Sequence, residues 1–169
     1  MKNLSKEQLK EIQSTFPFIR DVLESEWEKH PEYKIMTISV FDHYLNDSEI
    51  DTIDDTDYDI VKSRRELIEN SIKGIYENTK VYLKKYKRRD RLFFYNVESL
   101  SHLLKHCDIK NQSAWTGQRY DLILPEYSAI YSEDFDWGNA IFYLDKKKVE
   151  PLSKIIENAG MHILDWEKN

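Results

Sequence analysis

Cysteine occurs once in the 169 residues, at Cys107, so no internal disulfide can form, and a reducing cytoplasm is the expected location. Glycine and proline are scarce, four of each. The glycines Gly74, Gly117, Gly138 and Gly160 stand alone, which excludes a Gly-rich phosphate loop and a nucleophile elbow. No apolar run approaches the roughly 18 residues of a membrane span, and the N-terminus lacks a secretory pattern. The scarcest local feature is positive charge. From Asp42 to Asp59 there is no Lys or Arg, while Asp42, Asp47, Glu49, Asp51, Asp54, Asp55, Asp57 and Asp59 supply more negative charge than the net -6 of the whole chain. The remainder therefore sums to +2.

A second stretch without Lys or Arg, Tyr120 to Asp145, carries Asp121, Glu126, Glu133, Asp134, Asp136 and Asp145 among Tyr127, Tyr131, Phe135 and Trp137. Carboxylates gathered with aromatics, away from the cations, are suited to a positive partner. The charged fraction of 33% and mean hydropathy of -0.70 would fit disorder, but aromatics at 13% provide the large side chains that offset ordering entropy. The expectation is one folded domain over residues 1–169, with a helical half of about 1–90 and a sheet-rich half of about 91–169.

In the first half Ser5 and Gln8 form a capping-box signature, and Leu9, Ile12, Phe16, Ile19, Val22, Leu23 and Trp27 recur at helical spacing. Pro17 must kink or restart that helix. Ile35 to Leu45 fits either a strand or a helix, and its 3.6-residue pattern favours helix. The acidic run then reads as a loop ahead of a long helix from about Asp59 to Lys87. In the second half, strands are expected at Leu92–Tyr95, Asp121–Leu124, Tyr127–Tyr131, Ala140–Leu144 and Met161–Leu164. A helix capped by Asn96 runs to about Cys107, and a final helix has Pro151 in its first turn and Gly160 at its C-terminal cap. The fold class is α+β: N-terminal helices packed with a mainly antiparallel C-terminal sheet of about four or five strands.

Asp55, Asp57, Asp59 and Glu66 match positions 1, 3, 5 and 12 of a calcium loop, but Ile60 stands where the turn requires Gly. The plainer account is an acidic loop that caps the following helix. His102 and His106, four apart on a helix, lack further ligands nearby, so no metal or other cofactor is expected. Cys107 reads as a buried thiol rather than a nucleophile, and no catalytic residue is assigned. The basic run Lys80, Lys84, Lys85, Lys87, Arg88, Arg89 and Arg91, with Tyr82 and Tyr86, has a nucleic-acid-binding composition. It equally suits the C-terminal end of a helix, where the dipole favours cations.

The segments Leu124-Pro-Glu126, Ala129-Ile-Tyr131, Glu133-Asp-Phe-Asp-Trp137, Ile141-Phe-Tyr143 and Ala159-Gly-Met-His-Ile-Leu164 resemble small bacterial immunity proteins of contact-dependent and other polymorphic toxin systems. The resemblance implies a cytoplasmic, non-enzymatic chain that binds a toxin's C-terminal domain, frequently a nuclease, and blocks its active site. Expected partner-binding residues are Glu133, Asp134, Asp136 and Trp137 first, then Asp54, Asp55 and Asp57. In this reading neither nucleic acid nor membrane is a partner. The alternatives are a nucleic-acid-binding regulator using Lys80–Arg91, or an enzyme.

Overall fold

A computed structural model describes residues 2–24, 26–53, 55–87 and 91–165. Chain order is β1 (Lys2–Asn3), α1 (Lys6–Thr15), α2 (Ile19–Leu23), β2 (Lys34–Ser39), α3 (Asp47–Ile50), α4 (Tyr58–Asn78), β3 (Tyr82–Lys87), β4 (Arg91–Asn96), α5 (Leu100–Cys107), β5 (Asp121–Leu124), β6 (Ala129–Glu133), β7 (Gly138–Tyr143), α6 (Lys146–Asn158) and β8 (His162–Ile163). Three 3₁₀ turns lie at Trp27–Lys29, Ile109–Asn111 and Pro125–Tyr127. The strands form one sheet, ordered β1-β4-β3-β5-β6-β7-β2-β8, and every neighbouring pair is antiparallel.

The protein is α+β with an antiparallel sheet, but among the described residues eight strands replace the four or five expected, and helices and strands are interspersed along the chain. Alternate strand residues feed two cores. Leu83, Leu122, Tyr131, Ile141, Met36 and Ile38 face a core completed by α4, α5 and α6. Tyr82, Ile123 and Ile130 point the other way, toward Ile12 of α1, Phe16 at its C-terminal cap, and Val22 and Leu23 of α2. Helices therefore cover both faces of the sheet.

Local signals explain several boundaries. Ser5 accepts from the Gln8 amide while Gln8 Oε1 accepts from the Ser5 amide, the capping box anticipated at α1. Pro17 separates α1 from α2. Lys34–Ser39 is a strand, not the helix its spacing favoured: it pairs along its whole length with β7, and its alternate residues Met36 and Ile38 pack into the core formed with α4, α5 and α6. The long helix ends at Asn78, so the cations from Lys84 onward lie on β3 and β4 rather than at a helix end; Arg88 and Arg89 fall outside the described residues. Ser99, not Asn96, caps α5. Pro151 sits inside α6, past the first turn, and Gly160 follows that helix at φ +88°. Gly74 lets α4 approach α6, since a Cβ there would lie 2.8 Å from the Ile155 Cγ2 methyl. Among the described residues no helix is long and apolar enough to cross a membrane.

Candidate functional site

Strands β6 and β7 are joined by a tight turn in which Asp134 N donates to Gly138 O at 3.1 Å and Gly138 N donates to Phe135 O at 2.8 Å. A Cβ at position 138 would lie 2.8 Å from the Phe135 carbonyl oxygen, so the turn requires glycine there. Asp136 and Trp137 both have positive φ, 55° and 60°. For residues bearing a Cβ this costs roughly 1–2 kcal/mol each. The Trp137 side chain supplies the compensation: it is fully buried, and its indole Nε1 donates to Asp55 Oδ1 at 2.9 Å. Asp55 Oδ2 accepts from the Ala114 amide at 2.8 Å. The Arg64 guanidinium lies 3.6 Å from Asp55 and covers the rings of Trp137 and Phe41 at 5.6 and 5.3 Å.

Four of the expected binding residues, Trp137, Asp55, Glu133 and Asp57, are thus engaged internally. Trp137 is a core residue, not an exposed anchor. Asp55 ties the acidic loop to the β6–β7 turn. Glu133 was expected to lack a cation, but its fully buried carboxylate meets Arg119. Arg119 Nε donates at 2.9 and 3.0 Å, Nη2 at 2.6 Å and the backbone amide at 2.8 Å. Asp57 caps α4, accepting from the amides of Asp59 and Ile60 at 2.9 and 3.1 Å. That is the plainer account of the calcium-like pattern. Asp54 lies outside the described residues.

Asp134 and Asp136 remain half-exposed, with Phe135 50% exposed between them. Partial burial and the Asp134 charge both push the Asp136 carboxyl up from its ordinary value. A cavity of about 190 Å³ is lined from one side by Asp134, Phe135 and Asp136 and from the other by His43, Tyr44 and Ile50. The two cation-free segments, far apart in sequence, therefore meet at one end of the sheet. The His43 ring lies between Asp42 at 2.7 Å and Glu49 at 3.0 Å. These hydrogen bonds raise the imidazole pKa, and His43 in turn helps lower both carboxyls.

Sequence reasoning missed two members of this surface. Tyr44 is 56% exposed, and its hydroxyl donates to Asp165. Trp115, 68% exposed, belongs to the loop whose Ala114 carbonyl accepts from Asp136 N at 2.8 Å. A Cβ at Gly117 in the same loop would lie 3.2 Å from the Phe135 ring. The signal for Trp115 was available, since a Trp in a polar loop is as unusual as one in a tight turn. Tyr44 offered none beyond its acidic neighbours.

The other candidates do not line this cavity. Lys84, from the basic run, is ion-paired with Asp121. Burial lowers the His106 pKa and raises that of the Cys107 thiol, so neither is set up as a charged ligand or nucleophile. Among the described residues no three His, Cys, Asp or Glu side chains are gathered as a metal ion would need. Comparison of the chain with protein-family models, curated proteins and solved structures returned no match.

Proposed function

We propose that this chain is an immunity protein that binds a basic toxin domain, a nuclease, through the end where the acidic loop, the Trp115 loop and the β6–β7 turn meet. One observation carries the reading: Asp42, Glu49, Asp134 and Asp136 share that end with the exposed rings of Tyr44, Trp115 and Phe135. A nuclease cleft must hold a polyanion and is therefore lined by Lys and Arg. Carboxylates can occupy it in place of phosphates, and the rings add apolar anchoring area at small entropy cost. The chain acts by covering the cleft and performs no chemistry itself. Such a role belongs in the cytoplasm, where the toxin arrives.

A toxin gene is expected beside this one, and the test is co-expression with the basic domain such a gene encodes. The wild-type chain should restore growth. Asp134→Lys with Asp136→Lys should abolish protection and weaken binding by at least ~2 kcal/mol, the scale of reversed interfacial charges, with the melting temperature nearly unchanged. Calorimetry at fixed salt that found wild-type affinity in the double variant would overturn the reading.

A further inference from the structure

A second cavity, also about 190 Å³, lies between α2 and the sheet face that α1 and α2 cover. Leu23, Trp27 and Phe142 form an apolar wall, with the Trp27 and Phe142 rings 5.7 Å apart. The sheet supplies a polar floor. Pairing of Leu83 with Leu122 and of Asp121 with Ser132 sets Lys84, Asp121 and Ser132 side by side on three neighbouring strands. Lys84 ion-pairs with Asp121 Oδ2 and donates to the Leu23 carbonyl at 3.2 Å, while Ser132 Oγ donates to Asp121 Oδ1 at 2.5 Å. Asp121 and Ser132 are each only 6% exposed.

This arrangement limits what can enter. The Lys84 charge is already matched by Asp121, so an incoming carboxylate would have to break an ion pair that is largely shielded from water. Glu133, which also lines the cavity, is neutralised by Arg119. The charge left over is that of Asp134, which lines this cavity and the acidic one alike. The volume is below the roughly 300–1,000 Å³ of pockets that take drug-sized molecules, so it suits a single side chain. Apolar and aromatic walls with a net negative charge at the shared boundary fit an aliphatic stem ending in a flat, weakly hydrated cation.

We infer that this cavity is an anchor pocket for one arginine side chain of the partner. The inference rests on the proposed binding of a basic protein at the adjoining acidic end. The guanidinium stacks on Trp27 and is held by Asp134 and Ser132, which gives the complex a specific contact beyond general charge attraction.

The experiment needs no toxin. N-acetyl-arginine methylamide is titrated into the 15N-labelled protein, with N-acetyl-glutamate methylamide as control, and the Trp27 indole N–H resonance is followed after assignment with Trp27→Phe. The arginine probe should shift that resonance saturably and the glutamate probe should not. Ala140→Leu, which fills the cavity, should abolish the response. Asp134→Asn, a half-exposed position that leaves the core untouched, should weaken it about tenfold. An unmoved Trp27 resonance, an equal response to both probes, or an Asp134→Asn variant that binds like wild type overturns the pocket. Toxin binding reports separately: a toxin complex with no arginine response at Trp27 removes the pocket and leaves the acidic surface, whereas an arginine response without a toxin complex keeps the pocket and removes the toxin.

Discussion

Removing the guanidinium of Arg119 would strand the Glu133 carboxylate in a site where its side chain has no exposed area. A buried charge that loses its partner costs about 3–5 kcal/mol, a large share of the roughly 5–15 kcal/mol available to a domain. Arg119 is 26% exposed, so the reverse change leaves a cation that water can still reach. Arg119→Met should therefore destabilise by about 3 kcal/mol or more and Glu133→Gln by only about 1–2, with Arg119→Met/Glu133→Met recovering most of the loss. Urea unfolding measures all three, and an Arg119→Met variant within 1 kcal/mol of wild type would show the pair to be dispensable. The adjacent acids belong to a different regime, because Asp134 and Asp136 reach solvent. Sequence proximity could not separate Glu133 from them. Its cation lies 14 positions away, and Trp137 finds its acceptor 82 positions away, so both partners exist only once the loops have met.

At the scale of elements, Pro151 is the clearest local conflict. It stands in α6 beyond the first turn, where its missing N–H removes a bond to the Lys147 carbonyl and its ring crowds the preceding turn. The side chain is exposed, so no packing offsets this. Pro151→Ala should raise stability by about 2 kcal/mol, the helix gain of ~3 kcal/mol less the ~0.4–1 kcal/mol by which proline restricts the unfolded chain. A thermal melt showing no increase would mean that the helix is already distorted to suit the ring. Elements marked by side-chain chemistry were legible: the Ser5 capping box, the break at Pro17, the strand at Asp121–Leu124 and the strand expected at Ala140–Leu144, found at Gly138–Tyr143. The helix expected at Ile35–Leu45 on period alone was not. With helices on both faces of the sheet, Ile35-Met-Thr-Ile38 loses the simple apolar–polar alternation of a half-buried strand. Likewise Lys84 looked like part of a solvated helix end because its partner, Asp121, comes from a strand that pairs with β3 only through long-range register.

Over the whole molecule, folding sorts the negative charge into two populations. Asp55, Asp57, Asp121 and Glu133 are consumed by internal contacts, while Asp42 and Glu49, which pair with His43 but stay open to solvent, gather with Asp134 and Asp136 at one end beside three exposed rings. The gathered carboxylates and the exposed rings act on different steps of association. Carboxylates attract a basic partner before contact, over a distance set by the Debye length of about 10 Å at 0.1 M salt. The rings act only after contact, by being buried. The association rate constant with a basic toxin domain should therefore climb steeply as salt is lowered, from an unsteered 10⁵–10⁶ M⁻¹s⁻¹ toward roughly 10⁸ M⁻¹s⁻¹, and Asp134→Lys/Asp136→Lys should flatten that dependence. Trp115→Ala and Phe135→Ala should leave both the association rate and the melting temperature nearly unchanged, since these rings are 68% and 50% exposed in the free protein. Each should instead speed dissociation by about tenfold or more, as truncating an interface anchor does. Stopped-flow mixing across a salt series separates the two effects. A wild-type association rate that ignores salt would remove the carboxylates from the encounter, and unchanged dissociation in both ring variants would move the contact away from the Trp115 loop.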